Sequence, residues 1–125
     1  MRKQLYFWAA VVWSGIIIYF SLVQLNNAPL GNVTNIDKYV HCFFHFILTT
    51  LCFLFFKSKA VNQGDKKSLV FSFAFSLLFG IGIEIAQNTF TATRQSDVLD
   101  VLANIVGASS AAILIIMFSL FRKSK

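Results

Sequence analysis

The chain has 125 residues, of which 57% are apolar and only 13% charged, with a mean hydropathy of +0.69 and a net charge of +6. An ordinary soluble domain carries about 25% charged residues, so this composition excludes a disordered chain and a nucleic-acid coat. It also excludes a soluble globule, because so short a chain cannot hide that much apolar surface inside itself. A small integral membrane protein remains, with room for about four or five helices in one domain and no soluble appendage.

Four apolar runs follow in chain order: Leu5 to Val23, Tyr39 to Phe56, Leu69 to Ile85 and Val101 to Phe121. Each is long enough to cross a hydrocarbon core of about 30 Å as a helix. None alternates as a barrel strand would. The expected architecture is therefore an all-α integral membrane protein, a bundle of four transmembrane helices. It forms a single domain over residues 1–125, with spans at about 5–23, 39–56, 69–88 and 98–121.

The first run follows Arg2 and Lys3 but is longer than a signal-peptide core. Gln24-Leu25-Asn26-Asn27 after it offers no small-residue cleavage site, so it reads as an uncleaved span. It holds no ionisable group apart from tyrosines and reads as a packing or partner surface. Residues 24–36 form a polar loop with Pro29, Gly31 and several Asn. The second run contains Cys42 and Cys52, ten residues apart on one helix and unable to form a disulfide. Lys57 to Lys67 is a basic loop in which Asp65 is expected to be solvated. In the polar loop of residues 89–96, Ser96 stands where an N-cap is needed.

Orientation follows from the basic residues. Nine of the eleven Lys and Arg fall at the two termini and in the second loop, leaving Lys38 and Arg94 for the other side. The positive-inside rule puts both termini in the cytoplasm. The carboxylates then gather at the opposite end. Asp37, Glu84, Asp97 and Asp100 all lie toward the outer face, near His41, Gln87, Arg94 and Asn104. At a rise of about 1.5 Å per residue, His41 lies about 24 Å from Lys57, Glu84 about 26 Å from Lys67 and Asn104 about 27 Å from Arg122. Three helices thus place polar groups in one layer.

Spacing puts those groups on coherent faces. Asp37, His41 and His45 follow a four-residue step, Glu84 and Gln87 a three-residue step, and Asp97, Asp100 and Asn104 steps of three and four. Below Glu84 runs a ladder of Ser72, Ser76 and Gly80. Below Asn104 come Gly107 and Ala111. Small residues at this spacing let membrane helices approach closely. The polar faces are therefore also packing faces, and the carboxylates point into the bundle. His45, lying deeper, reads as a packed helix–helix contact, and Asp97 as a group that favours a helix N-terminus.

The ordered set Asp37-Lys38-x-x-His41, Gly80-x-x-x-Glu84-x-x-Gln87, Arg94 and Asp100-x-x-x-Asn104-x-x-Gly107 resembles the VanZ-like family over about residues 37 to 112. One departure is Ala92-Thr93 before Arg94, where family members often carry Pro. Members are small bacterial multi-pass membrane proteins, and the family is named after a protein associated with teicoplanin resistance. The resemblance implies a cell-envelope role in the bacterial cytoplasmic membrane, a site facing the extracytoplasmic side and a link to glycopeptide resistance.

Three readings of the polar layer follow. In the first, it binds an envelope lipid or lipid-linked cell-wall precursor, with Lys38 and Arg94 for a phosphate and Gln87 and Asn104 for sugar or peptide groups, beside Asp37. In the second, it is an enzyme acting on such a lipid. Glu84 and Asp100 would be acid and base and His41 a proton shuttle, or Asp37, His41, Glu84 and Asp100 would hold a divalent metal. No catalytic string such as HExxH, GxSxG or a P-loop is present, and no metal or cofactor is assigned from the sequence. In the third, Asp37, Lys38, Glu84, Arg94 and Asp100 form a structural network. Transport is disfavoured because Phe53 to Phe56 and Ile113 to Phe118 are wholly apolar. The expected partners are the lipid bilayer and such a lipid, with no nucleic acid. Four helices bury little, which leaves a homodimer open.

Overall fold

The structure is a computed structural model that describes residues 1–23, 36–59, 64–92 and 97–124. Its elements are α1 (Arg2–Leu22), α2 (Ile36–Lys59), α3 (Asp65–Phe90) and α4 (Val98–Lys123). All four are long and apolar enough to cross a membrane. No strand occurs among the described residues. The chain is a multi-pass helical membrane protein of four spans.

The helices outrun the apolar runs. Helix α2 begins before Tyr39 to take in Asp37 and Lys38, and continues through Lys57 to Lys59. Helix α3 begins at Asp65 rather than Leu69. Hydropathy marks the stretch that lipid can cover, whereas backbone hydrogen bonding continues through polar flanks that are good helix formers. The N-cap of α4 is Asp97, whose carboxylate accepts from the Leu99 N–H at 2.8 Å. Ser96, expected in that place, lies outside the described residues. A carboxylate fills the role well because the helix dipole favours negative charge there.

Helices α2, α3 and α4 pack against one another, and α1 lies on α2 and α3 without touching α4. Two different seams result. On the α1 side the core is apolar, built from Ile17, Phe44, Leu48, Cys52 and Ile83. There Trp13 Nε1 donates to the Phe44 carbonyl at 3.0 Å, joining α1 to α2. Between α2, α3 and α4 the interior is polar or small. Among the described residues, eleven buried residues are polar or charged against eight apolar ones, while many large apolar side chains are exposed. A soluble protein distributes them the other way round; this distribution suits lipid as the outer solvent.

Close approach depends on glycine. A Cβ on Gly107 would fall 2.0 Å from the Cys42 carbonyl oxygen, so α4 crosses α2 backbone to backbone. A Cβ on Gly80 would meet Asn104 Nδ2 at 2.7 Å and His45 Cε1 at 2.9 Å. The two glycines hold the three helices near enough for short polar side chains to meet.

At the other end of the bundle, a recess of ≈ 910 Å³ gathers Arg2, Lys3, Lys57 and Arg122. Asp65 is paired there rather than merely solvated. It lies 3.0 Å from Lys57 Nζ and accepts from Ser119 Oγ at 2.9 Å. The sequence spacing could not show that α4 ends beside it. Arg2, Lys3, Lys57 and Arg122 therefore lie at the opposite end of the bundle from Asp37, Glu84, Asp97 and Asp100.

Candidate functional site

The polar layer forms where α2, α3 and the start of α4 converge. His41 on α2, Glu84 on α3 and Asp100 on α4 are 4%, 4% and 8% exposed. Each offers a ligand atom within 4.8 Å of the others. His41 Nε2 faces Asp100 Oδ2 at 3.9 Å, and His41 Nδ1 lies 3.2 Å from Asn104 Oδ1. With the amide oxygen turned toward the ring, Nδ1–H is the donor, and in the neutral ring the lone pair sits on Nε2. The four-residue step from Asp100 to Asn104 lets one helix contact both sides of the imidazole.

Glu84 accepts from the Asp97 backbone N–H through Oε2 at 3.3 Å. Its Oε1 is buried and has no hydrogen-bond partner among the described residues. The same is true of Asp100 Oδ1 and Asn104 Nδ2. Buried polar atoms are normally satisfied, and leaving one unpaired costs about 1–3 kcal/mol. Three such atoms in one layer mark a place where the fold itself has not used its hydrogen-bonding capacity.

Above the buried layer is a rim. Lys38 Nζ bonds Asp97 Oδ2 at 3.1 Å and lies 3.5 Å from Asp100 Oδ1 and 3.6 Å from Asp37 Oδ2. The Asp37 and Asp97 side chains are each 41% exposed. The Leu99 N–H first, and then Lys38, hold the Asp97 carboxyl below its ordinary range. Lys38 is thus shared among three carboxylates. Among the described residues the rim and the buried layer carry Asp37, Glu84, Asp97 and Asp100 against this one lysine, so the electrostatics favour positive charge and hydrogen-bond donors.

The remaining predicted residues divide. Asp37 sits on the rim with Lys38, outside the His41 cluster. Gln87 is buried and donates to the Ser21 carbonyl at 2.8 Å, tying α3 to α1. Arg94 lies outside the described residues. His45 is a packed contact as expected, and it also hydrogen-bonds Ser76 Oγ at 2.9 Å. Ser72 and Ser68 on α3 and Thr49 on α2 are fully buried as well. Two contributions were missed from sequence. The Ser21 backbone, on a helix with no obvious polar stripe, joins the polar layer through Gln87. Thr49 was hidden inside an apolar run, though it lies one helical turn beyond His45.

These features define a class: a polytopic helical membrane protein whose carboxylates and histidine face inward from three spans. The VanZ/LLP1 family model matches residues 5–121, and the chain belongs to that family. The match reaches across all four helices and so takes in α1, which the motif pattern left out. No curated protein and no solved structure matches the chain.

Proposed function

We propose that this VanZ/LLP1 protein lies in the bacterial cytoplasmic membrane, with both termini inside and the carboxylate–histidine layer toward the extracytoplasmic side. There it binds the headgroup of an envelope lipid or lipid-linked cell-wall precursor. One observation carries this reading: inward carboxylates from two helices, beside His41, keep buried acceptor atoms that receive no hydrogen bond from any described residue.

A purely structural network would be an inefficient arrangement. An ionisable group inside a span is costly, about 2.5–3.5 kcal/mol at the centre on the insertion scale and less toward the ends. An intramembrane hydrogen bond returns only about 0.6 kcal/mol on average. Lys38 is engaged by three carboxylates and is poorly placed to capture a phosphate. The carboxylates are better suited to the hydroxyl and ammonium groups of sugars and peptides, which a lipid-linked precursor offers. The half-exposed Asp37 and Asp97 would meet such a headgroup first.

The test is mass spectrometry of lipids retained by the protein purified from bacterial membranes. The parent should retain a sugar- or peptide-bearing lipid, and Asp97→Asn and Glu84→Gln should lose at least about five-sixths of it. An identical lipid profile in all three would refute the reading. Teicoplanin susceptibility of cells with and without the protein tests the family's glycopeptide link.

A second reading, acid–base catalysis on the same lipid, is favoured by the His41 ring. Asn104 orients it and Asp100 lies beside Nε2, an arrangement suited to proton transfer. Incubation with lipid-linked precursor should then change its mass, and Asp100→Asn should abolish the change.

A further inference from the structure

We propose that His41 Nε2, Glu84 and Asp100 together bind one divalent transition-metal ion of the zinc or manganese class. The geometry is already convergent, with ligand atoms from three separate helices within 4.8 Å of one another. Around a bound zinc, with bonds near 2.1 Å, ligand atoms sit about 3–4 Å apart. Side-chain rotation of about an ångström would close the difference without moving a helix.

The chemistry of the donors selects the ion. One imidazole nitrogen with two carboxylates suits borderline divalent ions. An all-oxygen set would instead suit magnesium or calcium. A metal-binding histidine usually donates its other ring N–H to an oxygen acceptor, which fixes the tautomer and aims the free lone pair. Asn104 Oδ1 supplies that acceptor at Nδ1, 3.2 Å away. Nε2 is left on the side of Asp100.

One observation independent of this convergence points to a missing cation. Glu84 Oε1 is buried and unpartnered among the described residues, while Asp100 Oδ1 accepts no hydrogen bond and has only Lys38 Nζ, 3.5 Å away. Lys38, the nearby described cation, is already shared with Asp37 and Asp97. A divalent ion between the carboxylates would satisfy both oxygens and remove the repulsion of like charges in a low-dielectric interior. Three protein donors also leave coordination positions open, as in sites where the metal meets a further ligand. The metal assignment does not depend on the headgroup reading, since an ion can be held with or without a lipid.

The test uses the full chain in detergent. Protein freed of metal with chelator is titrated with Mn²⁺ and separately with Zn²⁺, with Mg²⁺ as control. Bound metal is measured by elemental analysis and Mn²⁺ by electron paramagnetic resonance. The expected result is saturable uptake of one Mn²⁺ or Zn²⁺ per chain, with Mg²⁺ at least about tenfold weaker. His41→Gln and Glu84→Gln should lower occupancy about tenfold, while Asp65→Asn at the far end leaves it unchanged. If either site variant fails to fold, spin-echo modulation by an imidazole ¹⁴N on Mn²⁺ in the parent gives the same answer. Absence of saturable uptake by the parent, or Mn²⁺ bound without nitrogen modulation, overturns the proposal. So does uptake unchanged in both folded variants.

Discussion

Gly107→Ala gives the sharpest mechanical test of how the helices hold the polar layer. The added Cβ would stand 2.0 Å from the Cys42 carbonyl oxygen, 2.8 Å from its carbonyl carbon and 3.0 Å from its Cα. Those atoms are backbone, so no side-chain rotation relieves the clash. Reaching an ordinary contact of about 3.4 Å demands that α4 move away from α2 by roughly 1.4 Å. Overpacking of this kind costs about 1–3 kcal/mol, and the upper end applies because two helix backbones must part. That corresponds to roughly 10 °C of thermal unfolding temperature for a chain of this size. His41 adjoins Cys42 in sequence and Asn104 lies one turn before Gly107, so their 3.2 Å hydrogen bond would lengthen as well. Gly82→Ala is the control, because its Cβ would meet nothing within 4 Å. There the helix gains alanine's propensity, worth about 0.5–1 kcal/mol. The assay is thermal unfolding in one detergent, followed by circular dichroism. If Gly107→Ala melts with or above the parent, the close crossing of α2 and α4 is refuted.

Two further outcomes follow from single contacts. Ser76→Ala removes the partner of His45 Nδ1 in the buried interior and should cost about 1–3 kcal/mol, whereas His45→Phe with Ser76→Ala should recover much of it; a double-mutant unfolding cycle measures the coupling. Asp97 is held below its ordinary range by the Leu99 N–H and Lys38, so its contribution is present above the unfolded Asp pKa of about 3.9 and is lost as pH falls through the lower folded value. Unfolding temperature against pH should therefore drop at the acid end for the parent and less steeply for Asp97→Asn.

The helices were legible because lipid imposes long apolar runs, and the runs located all four spans. Their ends were less legible, since Asp37, Lys38 and Asp65 are polar and yet helical. The site layer was readable to the extent that helical spacing dictates it. The steps His41 to His45, Glu84 to Gln87 and Asp100 to Asn104 fixed which groups share a face on each helix. Pairing across helices was not readable, because it depends on rotation and crossing. Lys38 turns mainly to Asp97, fifty-nine residues away, although Asp37 is its neighbour. Gln87 reaches a carbonyl on α1, where no side-chain pattern announced a partner. Asp65 meets Ser119 from the far end of the chain. Each depends on the packing of α2 against α4, of α1 against α3 or of α3 against α4, which hydropathy does not encode.

If the His41–Glu84–Asp100 layer receives a ligand rather than holding the helices together, its carboxyls should add nothing to the stability of the empty protein. The decisive measurement is the thermal stability of the chelator-treated protein, comparing the parent with Glu84→Gln and Asp100→Asn in one detergent. Groups kept for function are often liabilities for stability, and each substitution replaces a buried carboxyl by an amide of the same shape. Both variants should melt at or above the parent's temperature. A loss of several degrees in both would show that the carboxyls stabilise the bundle as they stand, and that the layer is a structural network.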